Sequence, residues 1–232
     1  MKTHLLTALL ALSLAACSMQ TPIQFDDESY SRGVADEGVN SSGPSFVDYD
    51  NDGDIDIYVS TEYHGDNQGN RLFENNGNGE FIDVAVERGV DNKGGLGRGA
   101  SWGDYDNDGD MDVVISNMPP SDRSTHVPTS LYKNLLIETG SPNFENASRE
   151  ANLFRKNVPN DKEIGGIGST GAGVAWADYD NDGDLDLYWK CAEYDIDNAL
   201  FRNNNDGTFT DITEESGTGS AAPAPLGKVD ES

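Results

Sequence analysis

The stretch Asp48-Tyr49-Asp50-Asn51-Asp52-Gly53-Asp54-Ile55-Asp56 occurs three times in this chain. It returns as Asp104-Tyr105-Asp106-Asn107-Asp108-Gly109-Asp110-Met111-Asp112 and as Asp178-Tyr179-Asp180-Asn181-Asp182-Gly183-Asp184-Leu185-Asp186, and eight of its nine positions never change. Self-similarity of this kind marks a repeat architecture, in which each copy is one supersecondary unit. The flanks repeat as well. Phe46, Trp102 and Trp176 stand two residues before the first Asp, with Gly43, Gly99 and Gly173 three residues further back. Behind each loop comes an alternating run: Ile55, Ile57 and Val59; Met111, Val113 and Ile115; Leu185, Leu187 and Trp189. Period-two alternation of branched and aromatic residues predicts half-buried strands.

Each copy then carries a hairpin. Leu72-Phe73-Glu74 leads through Asn75-Asn76-Gly77-Asn78-Gly79 to Phe81, and Leu200-Phe201-Arg202 leads through Asn203-Asn204-Asn205-Asp206-Gly207 to Phe209. Asn-Gly and Asp-Gly supply the positive φ angles of tight turns. The middle copy, Leu131-Tyr132-Lys133-Asn134 to Phe144, has a turn four residues longer. The unit is four short strands, and such units in series predict an all-β partial propeller of about three blades with incomplete end pieces. Phe25 precedes Asp48 by 23 residues, as Phe81 precedes Asp104, so the repeat region is expected to open with the last strand of an incomplete unit.

Five carboxylates in nine residues repel one another unless a cation joins them. Side chains at loop positions 1, 3, 5 and 9, with the carbonyl at 7, can converge on one ion if the chain turns sharply at 6, where Gly53, Gly109 and Gly183 stand. Oxygen donors without His or Cys favour Ca²⁺ over zinc or copper, and its flexible coordination favours it over Mg²⁺. About three Ca²⁺ ions are expected. Asp48, Asp50, Asp52 and Asp56, Asp104, Asp106, Asp108 and Asp112, and Asp178, Asp180, Asp182 and Asp186 would act through their side chains. Asp54, Asp110 and Asp184 would act mainly through their carbonyls. Position 12 is Val59, Ile115 or Trp189, where an EF-hand needs a bidentate Glu, so the loop is of another type.

These residues resemble the FG-GAP repeat, also called the VCBS repeat, of integrin α-subunit propellers and bacterial secreted proteins. Asp178 to Tyr188 and Leu200 to Asp211 carry the likeness most fully. Gly43-Pro44-Ser45 and Gly99-Ala100-Ser101 stand where the family's Gly-Ala-Pro string would be. The resemblance implies a β-propeller with Ca²⁺ in its blade loops, used in adhesion or ligand binding. Closed propellers of this family have typically seven blades, and here three acidic loops are present.

The 232 residues include 42 acidic and 15 basic ones, for a formal charge of −27. That balance excludes nucleic acid as a partner, because phosphate neutralisation needs clustered Lys and Arg. The first residues read as an export signal: Lys2, an apolar run from Leu5 to Leu14, then Leu14-Ala15-Ala16-Cys17, which resembles a bacterial lipobox. The run is shorter than the roughly 18 apolar residues of a membrane span. The expected organisation is a signal peptide at 1–16, a tether at 17–22 lipidated at Cys17, repeats at 23–216, and a flexible tail or truncated repeat at 217–232. Ser18 points to outer-membrane sorting, on the periplasmic or surface face. With Cys17 acylated only Cys191 remains, so no intramolecular disulfide is available, and metal is the expected staple. The Gly-rich stretch Gly165 to Gly173 reads as a flexible lead-in.

No catalytic motif is present, and no enzyme is expected. The reading is a calcium-binding envelope lipoprotein that acts as a protein- or glycan-binding module. A self-assembling propeller piece associating through open sheet edges, or the accessory part of a polysaccharide-active enzyme, are the alternatives.

Overall fold

The computed structural model describes residues 25–35, 40–62, 69–118, 127–155, 166–168, 171–192 and 197–219. The signal segment, Cys17, the tether, all three His and most of the tail lie outside them. Three four-stranded antiparallel sheets follow one another. The first is built from β1 (Asn40–Val47), β2 (Asp56–Glu62), β3 (Arg71–Asn75) and β4 (Phe81–Asp83). The second holds β5 (Leu96–Gly103), β6 (Asp112–Met118), β7 (Ser130–Asn134) and β8 (Phe144–Asn146). The third holds β9 (Gly171–Ala177), β10 (Asp186–Cys191), β11 (Ala199–Asn203) and β12 (Phe209–Asp211). Each sheet runs in sequence order, and each acidic loop joins its first two strands. This is the all-β, blade-like array that the repeat predicts.

Among the described residues, four single helical turns punctuate the strands: α1 (Ser29–Arg32), α2 (Ala85–Arg88), α3 (Leu136–Thr139) and α4 (Thr213–Ser216). No helix was expected. Each ends on a left-handed glycine, Gly33, Gly89, Gly140 or Gly217, so the turn closes at once. The extra residues of the middle hairpin are α3.

The sheets meet face to face and bury two cores. One, between the first and second sheets, gathers Tyr49, Tyr58, Leu72, Val90, Val113, Ile115 and Phe144, with Trp102 packed against it. The other, between the second and third, gathers Tyr105, Val114, Leu131, Leu187, Trp189, Phe201 and Phe209, with Trp176 against it. Along β6, Val113 and Ile115 face one core while Val114 faces the other. A middle blade is covered on both sides.

The seams repeat their chemistry. Tyr49 packs on Phe144 at 6.0 Å between ring centroids, and Tyr105 on Phe209 at 5.8 Å. Asn134 Nδ2 donates across the first seam to the carbonyl of Tyr49 (2.8 Å), and Asn203 Nδ2 across the second to that of Tyr105 (2.7 Å). At the outer faces the same positions lack a neighbour. Tyr49 is fully buried and Tyr105 is 4% exposed, while Tyr179 is 43% and Phe46 69% exposed. The first sheet shows the effect along β2, where Asp56, Tyr58 and Ser60 are buried and Ile57 and Val59 only half-buried. The sequence pattern suggests the opposite face as the core, but that face looks outward from the array.

Residues 25–28 form no strand, against the expected strand of an incomplete unit. The turn that follows nevertheless docks as its counterpart in the next unit does. A Cβ on Gly33 would lie 2.5 Å from the carbonyl oxygen of Phe81, just as one on Gly89 would lie 3.0 Å from that of Phe144. Gly166 and Gly171 are packing residues rather than flexible ones: a Cβ on Gly171 would lie 2.3 Å from Ser116 Oγ and 2.7 Å from Trp189 Nε1.

Candidate metal centre

Two backbone positions shape each loop. The Asn at position 4 is left-handed in every copy, with φ of 57°, 58° and 62° at Asn51, Asn107 and Asn181. Asn tolerates that region better than other residues with a Cβ. The glycine at position 6 follows with φ of 94°, 103° and 97°. The chain therefore curls so that the position-1 carboxylate accepts the glycine N–H: Gly53 to Asp48 Oδ2 (3.1 Å), Gly109 to Asp104 Oδ2 (3.0 Å) and Gly183 to Asp178 Oδ2 (3.2 Å).

The position-9 carboxylate ties the loop to the sheet. Asp56 accepts from the N–H groups of Tyr49 (3.3 Å) and Asn75 (2.8 Å). Asp112 does so from Tyr105 (3.2 Å) and Asn134 (2.9 Å), and Asp186 from Tyr179 (3.1 Å) and Asn203 (2.8 Å). All three are buried. Burial pushes Asp56 up to about 6 and Asp112 up to about 8 and raises Asp186, partly offset by those hydrogen bonds, while neighbouring carboxylates add to the rise. Such groups are costly to ionise without a cation nearby.

In the first and third loops, one carboxylate oxygen each from positions 1, 3 and 9 converges within 4.8 Å: Asp48, Asp50 and Asp56, then Asp178, Asp180 and Asp186. Position 5 is absent from both groups. In all three loops the position-5 Oδ1 accepts the position-7 N–H: Asp52 from Asp54 (2.8 Å), Asp108 from Asp110 (3.1 Å) and Asp182 from Asp184 (3.1 Å). In the middle loop the converging residues are Asp104, Asp106 and Asp108. The position-7 side chains serve other contacts, with Asp184 accepting from Asn107 Nδ2 across the seam (2.8 Å) and Asp110 from the Ile137 N–H (3.0 Å). A divalent ion fits this donor set. Asp48 Oδ1, Asp106 Oδ1 and Asp110 Oδ1 are buried without a hydrogen-bond donor, and every group offered is a hard oxygen.

Sequence reasoning missed Lys133 and Glu138. Lys133 Nζ lies 2.5 Å from Asp106 Oδ2, 3.2 Å from Asp108 Oδ2 and 2.5 Å from Glu138 Oε1. Glu138, which rides on α3, forms a second acidic group with Asp108 and Asp110. The signal was the unusual length of the middle hairpin and the basic residue in it.

A model of the FG-GAP-like repeat family matches residues 48–115, the first two acidic loops with the strands between them. The chain is 32% identical over 109 residues to cartilage acidic protein 1 of Mus musculus, covering 47% of this chain and 16% of that protein. It is 31% identical to the Homo sapiens protein of that name over the same length, and 40% identical to the Xenopus tropicalis one over 62 residues. The chain thus spans under a fifth of the length of these relatives.

Proposed function

We propose that this chain, which carries FG-GAP-like repeats, is a calcium-stabilised binding module of adhesion type, exported and lipid-anchored to a bacterial envelope through Cys17. The observation that carries the calcium reading is the convergence of Asp48, Asp50 and Asp56, repeated at Asp178, Asp180 and Asp186. An ion held there would join the loop to the sheet that position 9 already anchors. Its role is structural: it neutralises buried carboxylates in a domain without a disulfide. The working surface would be a protein or glycan site built on the blades, not the ion itself.

Binding only to the folded state adds about 2.7 kcal/mol per site at 100-fold excess over Kd. Thermal melts followed by circular dichroism in millimolar Ca²⁺ and in chelator should differ by several degrees. An unchanged melt removes the calcium reading. For the anchor, metabolic labelling with a radioactive fatty acid should mark the wild type and not Cys17→Ser; equal labelling counts against acylation at Cys17. A glycan array then asks whether the ligand is a carbohydrate.

The exposed Tyr179 and Phe46 favour a second reading, self-association. They are the two halves of a seam that is closed twice inside the molecule. Association would use these outer faces rather than the sheet edges, with the third sheet of one copy against the first sheet of another. Analytical ultracentrifugation should show a concentration-dependent dimer that Tyr179→Asp abolishes. A strict monomer at high concentration sinks this reading.

A further inference from the structure

The three acidic loops are nearly identical in sequence, yet the residue that follows the hairpin aromatic differs: Glu74, Lys133 or Arg202. In the first sheet Glu74 turns to Arg88 Nη2 (2.9 Å) and the Tyr49 hydroxyl. In the third, Arg202 is exposed, and among the described residues no ion pair ties it to its loop. Only in the middle sheet does a cationic side chain enter the acidic cluster. Its ammonium contacts Asp106 and Asp108 and is closed over by Glu138 from α3, leaving the side chain 19% exposed. The converging carboxylates also differ there, with position 5 taking part and position 9 withdrawn.

We propose that the Lys133 ammonium is the resident cation of the middle loop, so that Ca²⁺ occupies the first and third loops only. This rests on the reading of the loops as calcium sites. A monovalent ammonium 2.5 Å from Asp106 fills the place of one carboxylate–metal bond and repels a second cation from the same cluster. Electrostatic exclusion and steric filling act together. With Lys133 removed, Asp106 Oδ1 and Asp110 Oδ1, both buried and without a hydrogen-bond donor, belong to two oxygen-only groups that share Asp108: Asp104, Asp106 and Asp108, and Asp108, Asp110 and Glu138, each suited to a divalent ion. The same chain would then carry one more metal site.

Isothermal titration with Ca²⁺ and equilibrium dialysis with ⁴⁵Ca²⁺ count the ions on the full chain. The wild type should bind two, Lys133→Met three, and Lys133→Arg, which keeps the charge, two. Three ions on the wild type overturn the inference while leaving the calcium reading intact. Two ions on Lys133→Met also overturn it, since the lysine would not be what excludes the third. No binding to any of the proteins removes the calcium reading itself. Should Lys133→Met fail to fold, Lys133→Gln retains a polar side chain without charge and should likewise bind three.

Discussion

Asp56 and Asp112 show how one residue can tie an acidic loop to its sheet and change its own proton affinity in doing so. Each uses its two oxygens to accept backbone N–H groups from the loop and from the hairpin, and each is buried enough for its proton affinity to rise. That rise sets the sign of a pH effect. In metal-stripped protein, the folded state holds protons on Asp56 up to about 6 and on Asp112 up to about 8, which the unfolded chain releases near the ordinary 3.8. Between these limits the folded state binds more protons, so stability falls as pH rises. Melts of metal-stripped protein should therefore be higher at pH 5 than at pH 8. Ca²⁺ bound in the first loop as proposed would compete with the proton on Asp56, so added Ca²⁺ should stabilise more at pH 8. A metal-stripped protein that melts higher at pH 8 than at pH 5 would contradict the assignment.

Among the elements, the hairpin strands β7 and β11 each send one buried amide across a seam. Asn134 and Asn203 are buried, and each side-chain amide reaches the carbonyl of a Tyr in the preceding sheet. In sequence they read only as turn formers, because nothing local indicates the neighbouring blade. Replacing either with Ala leaves a buried carbonyl unsatisfied, at about 1–3 kcal/mol. Urea denaturation should show that loss for Asn134→Ala and Asn203→Ala. The aligned Asn75→Ala should cost less, since Asn75 Nδ2 bonds only within its own sheet, to the Ile55 carbonyl. Equal losses at all three positions would show that the hydrogen bonds across the seams add nothing. The glycines follow the same logic: Gly171 is required where β9 passes Ser116 of the neighbouring sheet, a contact between blades that composition alone reads as flexibility.

For the molecule as a whole, both cores share the second sheet, with the two faces of β6 divided between them. Losing that sheet destroys both cores, so unfolding of the described region should be cooperative. Near-ultraviolet and far-ultraviolet signals should fall together, and chelator should shift that single transition without splitting it. Two separated transitions would mean that the seams are too weak to couple the sheets. The formal charge of −27 adds repulsion throughout, so a cation bound in a loop as proposed would act beyond its immediate ligands.

The repeat unit, its four strands, the sharp loop turn at glycine and the oxygen-only character of the acidic loops can all be read from the order of residues. These depend on residues within one unit, where backbone sterics and period-two alternation leave a local trace. Tertiary structure alone decided which face of β2 is buried, which carboxylates converge, and that Lys133 enters one loop of three. Each of those depends on a neighbouring blade or on a hairpin folded back over the loop. Contacts between chain segments tens of residues apart leave no periodic signal: Tyr49 and Tyr179 sit in loops that differ at one position, Ile55 against Leu185, and only the presence of a next blade makes one buried and the other exposed.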